Sequence, residues 1–125
     1  MMPDTDLKAQ IPLMMQQLMN NTGQSCNAPT RMLVERSIYD QAVETAIQAA
    51  EVVSVAPASE EGRHIGPVVN EVQFNKIQTL IQKGIDEGAR LVAGGPGRPN
   101  GMNKGFYVRP TVFADVNPSM TIAVE

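Results

Sequence analysis

The chain has 125 residues, a formal charge of −3 and a hydrophobic fraction of 42%, which is enough material for one domain with a packed core. Its mild acidity, two tyrosines, three phenylalanines and lack of tryptophan speak against a nucleic-acid partner, which would need a basic stripe and a stacking platform. No apolar run approaches the roughly eighteen residues of a membrane span and no basic-then-apolar leader opens the chain, so a cytoplasmic protein with no membrane partner is expected.

Over 6–20, Leu7, Ile11, Met14, Met15 and Leu18 recur at helical spacing, with Asp4, Thr5 or Asp6 available as N-cap. Pro12 sits inside this pattern, so either the helix starts near Ile11 or it is kinked. Asn20-Asn21-Thr22-Gly23-Gln24-Ser25 is polar, and its glycine interrupts any helix. Residues 31–35 read as a short buried strand, followed by a helix over 38–53 capped by Ser37. A loop over 56–66 leads into the most regular helical pattern, 69–88, with Gly88 as its stop. Strands are expected at 90–93 and 105–113, separated by the turn-rich Gly94-Gly95-Pro96-Gly97-Arg98-Pro99-Asn100-Gly101. Helices and strands alternating in this way argue an α/β layer fold without repeats or linkers.

Cys26 is the one cysteine, which excludes an internal disulfide and a Cys-rich metal site. A lone cysteine is more often a small buried hydrophobe than a reactive thiol, and composition does not separate the two. Its neighbourhood, Gly23-Gln24-Ser25-Cys26-Asn27-Ala28, suits a reactive thiol. A glycine-containing turn lets the sulfur face a cleft, and small neighbours leave room for a carbonyl. The cysteine's own backbone N–H can then meet the developing oxyanion.

That segment, together with Arg31, closely resembles the active-site cysteine motif of the NAD(P)-dependent aldehyde dehydrogenase superfamily. The resemblance continues in family order through Asp4-Thr5-Asp6-Leu7, Ile65-Gly66-Pro67-Val68-Val69, Gln73-Phe74-Asn75-Lys76-Ile77, the stretch from Gly88 to Gly95, the stretch from Gly105 to Val112, and Met120-Thr121-Ile122. It therefore spans essentially the whole chain. It implies an oxidoreductase that converts an aldehyde to a carboxylic acid with NAD or NADP, through a thiohemiacetal and a thioester on Cys26. Gln73 and Lys76 match positions beside the cofactor ribose; read without the family, they are polar residues on an exposed helix face.

The same resemblance implies an incomplete catalytic domain: 1–125 as a single piece of a doubly wound sheet, truncated at both ends. The family's general-base glutamate lies in a Glu-Leu-Gly-Gly type motif upstream, with the oxyanion-hole asparagine and most of the dinucleotide-binding domain. None of these occurs here. Downstream the family continues with two acidic residues and Ile-Phe-Gly-Pro; this chain has the first, Glu125. The expected fragment binds no cofactor by itself, is inactive alone, and forms a homo-oligomer that covers exposed apolar faces. Its partner in the parent enzyme is a small-molecule aldehyde. A catalytically silent chain acting only by association is the alternative.

The remaining features have plainer readings. Gly94-Gly95-Pro96-Gly97 lacks the lysine of a phosphate loop and is taken as a connection. His64 has no companion ligand, so no metal is expected. Glu60-Glu61 and Asp86-Glu87 are solvated faces, and Arg31 is a structural ion-pair partner.

Overall fold

A computed structural model describes all residues from Met1 to Glu125. Helix α1 (Leu7–Met19) leads through a short 3-10 turn (Asn20–Gly23) into an irregular stretch. A second 3-10 turn (Arg36–Ile38) opens helix α2 (Tyr39–Glu51), and helix α3 (Glu71–Asp86) follows. Strands β1 (Arg90–Ala93) and β2 (Val112–Ala114) pair antiparallel, and the short helix α4 (Thr121–Val124) closes the order. No helix is long and apolar enough to cross a membrane.

Asp6 is the cap of α1: its carboxylate accepts from the Ala9 N–H at 3.2 Å, satisfying one of the donors that a helix start leaves free. Pro12 is neither a start nor a break. The helix runs through it, and the only group deprived of a partner is the Lys8 carbonyl on an exposed face, where water can serve. The stripe Leu7, Ile11, Met15 and Met19 is buried against Ala42, Ala46, Ala49 and Ala50 of α2. Four alanines on one face let the two helices approach closely, and this packing is the main core.

Several expectations need correction. Residues 31–35 form no strand. The segment is extended, with Met32 and Val34 packed on the core and Leu33 85% exposed. Its backbone partner from elsewhere in the chain is Met1, which accepts from the Glu35 N–H and donates its amino group to the Leu33 carbonyl, while the Glu35 carbonyl accepts from Ile38 in the turn that follows. None of its residues is fully buried, and no neighbouring strand completes a ladder. Ser37 does not cap α2 either. Its N–H and hydroxyl both donate to the Glu35 carboxylate, making the 3-10 turn that precedes the helix and holding that carboxyl below its usual range.

Helix α3 is capped by Asn70, whose side chain accepts from the Gln73 N–H at 2.9 Å. It ends at Gly88, where φ is +93°; that left-handed value is one glycine adopts without penalty. Phe74 of α3, Val68 and Val108 form a second, smaller core, and Phe106 packs on it. Arg98 stacks over the Phe74 ring at 4.8 Å. The strand expected over 105–113 is regular only at its end, because Pro110 removes a ladder donor and a bulge separates Leu91 from Ala93 in the partner. Arg90 and Asp115 pair at 2.6 Å beside this hairpin, raising the arginine and lowering the carboxyl.

Candidate active site

Cys26 is exposed in this chain. It follows the first residue of a tight turn closed by the Ala28 N–H on the Ser25 carbonyl at 3.1 Å. Its own N–H donates to no group of the chain and is free to meet a ligand.

The geometry before the cysteine is unusual. Asn21, Thr22 and Gly23 have φ of 52°, 57° and 73° in succession. Gly23 takes this region freely, but each L-residue there costs on the order of 1–2 kcal/mol, and a β-branched threonine is a true outlier. Tertiary bonds hold the strained turn. The Thr22 hydroxyl donates to the Gly66 carbonyl at 2.9 Å. The Gln24 side chain works at both ends: its Oε1 accepts from the Val69 N–H at 2.8 Å and its Nε2 donates to the Asn21 carbonyl at 3.0 Å. The receiving segment is itself anchored, since Val68 is 2% exposed and its N–H donates to Phe106 at 2.9 Å.

Beyond the cysteine, Arg31 departs from its expected role. No carboxylate pairs with it; instead it donates to the Ala123 carbonyl at 2.7 Å. The last carbonyls of a helix lack intrahelical partners, and α4 offers one that a guanidinium can fill. Helix α4 is held at its other end by Glu87, which accepts from the Thr121 N–H and hydroxyl, both at 2.7 Å. These two bonds keep the Glu87 carboxyl below its usual range. Glu87 is therefore a clasp rather than a plain solvated face.

Gln73 and Lys76 lie one helical turn apart near the start of α3. Lys76 meets Glu125 at 3.3 Å with both side chains about half exposed, so the pair can reorient at little cost. The Gln73 side-chain amide has no partner in the chain. Val69, bonded to Gln24, directly precedes the cap of this helix, which ties the cysteine turn to the base of α3. The structure thus brings Lys76 together with Glu125, and places Cys26 and α3 on a shared frame without a direct bond between Cys26 and Gln73 or Lys76.

A dinucleotide needs hydroxyl partners for a ribose and backbone donors for a pyrophosphate. Gln73 and Lys76 fit the first requirement. The glycine loop does not meet the second: the Gly95 N–H is taken by Thr111 and the Gly97 N–H by Gln78. Gly94 serves packing there, since a Cβ would lie 2.1 Å from the Pro110 carbonyl oxygen. An open cavity of about 300 Å³ lined by Ala93, Gly94, Asn100 and Arg109 lies beside this loop, and Cys26 does not reach it. His64 half-buries its ring against the Pro57 carbonyl at 3.1 Å and serves as a loop pin. No cluster of potential metal ligands is present.

Sequence reasoning missed Thr22, Gln24, Glu87 and Thr121. The polar Asn-Asn-Thr-Gly run signalled a turn, but nothing in it shows three left-handed residues or a partner more than forty positions away.

Comparisons with known proteins agree along the full length. The sequence matches the aldehyde dehydrogenase family over residues 1–125. The crystal structure of an aldehyde dehydrogenase from Bartonella henselae is 57% identical with a TM-score of 0.92, over 97% of this chain and 25% of that one. A cysteine-to-alanine mutant of aldehyde dehydrogenase C from Pseudomonas syringae, complexed with NAD+ and octanal, is 45% identical with a TM-score of 0.93 over the same shares. A curated relative in Staphylococcus epidermidis is 42% identical over 122 residues, which is 98% of this chain and 26% of that protein. The chain therefore spans about a quarter of the length of the relatives it matches.

Proposed function

This chain belongs to the aldehyde dehydrogenase family, and from that premise we propose that it carries the nucleophile of an NAD(P)+-dependent oxidation of an aldehyde to a carboxylic acid. The observation that carries the proposal is Cys26: exposed, on a turn anchored on both sides, with its N–H unengaged.

In this reading the Cys26 sulfur, as thiolate, bonds to the aldehyde carbon while the carbonyl oxygen takes the displaced electron pair. The Cys26 N–H donates to that oxygen and stabilises its charge. NAD(P)+, if held beside Gln73 and Lys76, would supply the hydride acceptor. Loss of hydride leaves a thioester on the Cys26 sulfur, and attack of water on its carbonyl carbon releases the acid and returns the thiol. Gln73 and Lys76 are suited to hold a ribose through hydroxyl contacts, with Lys76 leaving Glu125 to do so. The relative solved with NAD+ and octanal makes NAD+ and an aliphatic aldehyde the natural first choices.

The chain contains no motif for the general base of the hydrolysis step, whose loss typically costs on the order of 10²–10⁴ in rate. Isolated, it is expected to produce no measurable reduced cofactor. Exchanged for the matching quarter of the Bartonella henselae enzyme, it is expected to support turnover that Cys26→Ala abolishes, followed by reduced-nicotinamide absorbance. A folded, active chimaera that tolerates Cys26→Ala would refute the assignment.

A further inference from the structure

We propose that Thr22 and Gln24 are positioning residues for the Cys26 nucleophile, and that the left-handed turn over 21–23 is a strained spacer that they hold in place. The inference rests on the reading of Cys26 as nucleophile and adds what sets its geometry.

Three observations converge. The turn adopts consecutive φ values of 52°, 57° and 73°, and the middle residue is threonine, the type least suited to that region. Such a conformation persists only where surrounding structure over-determines it. Here that structure is explicit: the Thr22 hydroxyl on Gly66, and the Gln24 amide bridging Val69 and Asn21. Neither bond serves the main core, because Thr22 and Gln24 are only half-buried and no side chain over 20–31 is buried. Both bonds instead join the cysteine turn to the segment that opens α3, the helix carrying Gln73 and Lys76. Since Val68 in that segment is fixed by burial and by Phe106, the frame is rigid on the receiving side. The backbone two residues beyond Gln24, where Cys26 sits, is thereby tied to a fixed frame, and with it the direction of its unengaged N–H.

Acyl transfer and simple alkylation separate this role from a structural one. With p-nitrophenyl acetate, the Cys26 sulfur bonds to the acetyl carbon, the bond to oxygen breaks, nitrophenolate departs with the electron pair and the thiol proton goes to buffer. That step gains from an N–H aimed at the oxyanion. Alkylation by iodoacetamide needs only an accessible thiolate. Because Cys26 is the sole cysteine, both rates report on it alone, and their ratio is read in the full 125-residue chain.

In the folded wild type the ratio is expected to exceed that of the urea-unfolded chain. Thr22→Val and Gln24→Leu are expected to lower it by roughly tenfold or more, the scale of a small misplacement, with alkylation changed less than about twofold. Thr22→Ser keeps the hydroxyl and is expected to restore the ratio. Thr22→Gly relaxes the backbone yet removes the hydroxyl; it is expected to leave the denaturation midpoint unchanged or higher while lowering the ratio, which a purely structural threonine would not do. The proposal is overturned if folded Thr22→Val, Gln24→Leu or Thr22→Gly keeps the wild-type ratio. If folded and unfolded wild type share one ratio, the nucleophile reading itself fails and the proposal falls with it.

Discussion

Across the α1–α2 interface, Leu7, Ile11, Met15 and Met19 meet a row of alanines, and every one of these side chains is buried. Across the cysteine segment, from Asn20 to Arg31, no side chain is buried, and position is set by three side-chain bonds reaching Gly66, Val69 and Ala123. The first region draws its stability from apolar area removed from water, which is non-directional. The second draws its geometry from hydrogen bonds, which are worth little net energy but are strict about angle and distance. Stability and aim are thus assigned to different parts of one small chain. The proposed nucleophile sits on an exposed turn whose backbone is tied to the rest of the chain by side-chain bonds.

The sharpest way to break this comparison is to damage the core and watch the cysteine. Ile11 is 0% exposed, so Ile11→Ala should cost about 2–5 kcal/mol by transfer and cavity terms. Urea denaturation is the check, and a loss under about 1 kcal/mol would show that α1–α2 packing is not the main source of stability. A smaller effect is expected from Arg31→Met, which removes the bond to Ala123. Being exposed, that bond should contribute under about 1 kcal/mol globally. Amide exchange at Thr121–Val124 should nonetheless quicken in hydrogen-exchange measurements. Unchanged exchange there would mean that α4 does not depend on the cysteine segment.

The smallest effect concerns Glu87. Hydrogen bonds from Thr121 depress its carboxyl, so the clasp is complete above the ordinary carboxylate range and is lost as pH falls through the lowered value in the folded chain. The Thr121 amide resonance should titrate with a midpoint below that of an ordinary glutamate, and Glu87→Gln should flatten the curve. A midpoint at or above the ordinary value would contradict the clasp.

Elements governed by local pattern were legible. The α1 stripe, its cap among the three acidic or hydroxyl candidates Asp4, Thr5 and Asp6, and the Gly88 stop follow from spacing and capping chemistry, and β1 from its short apolar run, whereas the Asn70 cap fell inside the helix expected over 69–88. What failed needed distant partners. The 31–35 segment has the composition of a short strand without a strand neighbour, and Ser37 was drawn to Glu35 instead of the helix. In the candidate site, the Cys26 motif was legible through resemblance, whereas Thr22–Gly66 and Gln24–Val69 join residues 44 and 45 positions apart. No local rule links such pairs.

The most direct test of this division of labour is the Cys26 acylation-to-alkylation ratio in Ile11→Ala and Thr22→Val, measured beside their urea denaturation curves. Ile11→Ala should lose stability and, once corrected for its unfolded fraction, keep the wild-type ratio; Thr22→Val should do the reverse. A ratio that simply tracks stability in both variants would contradict it, and would make the cysteine turn a dependent of the core.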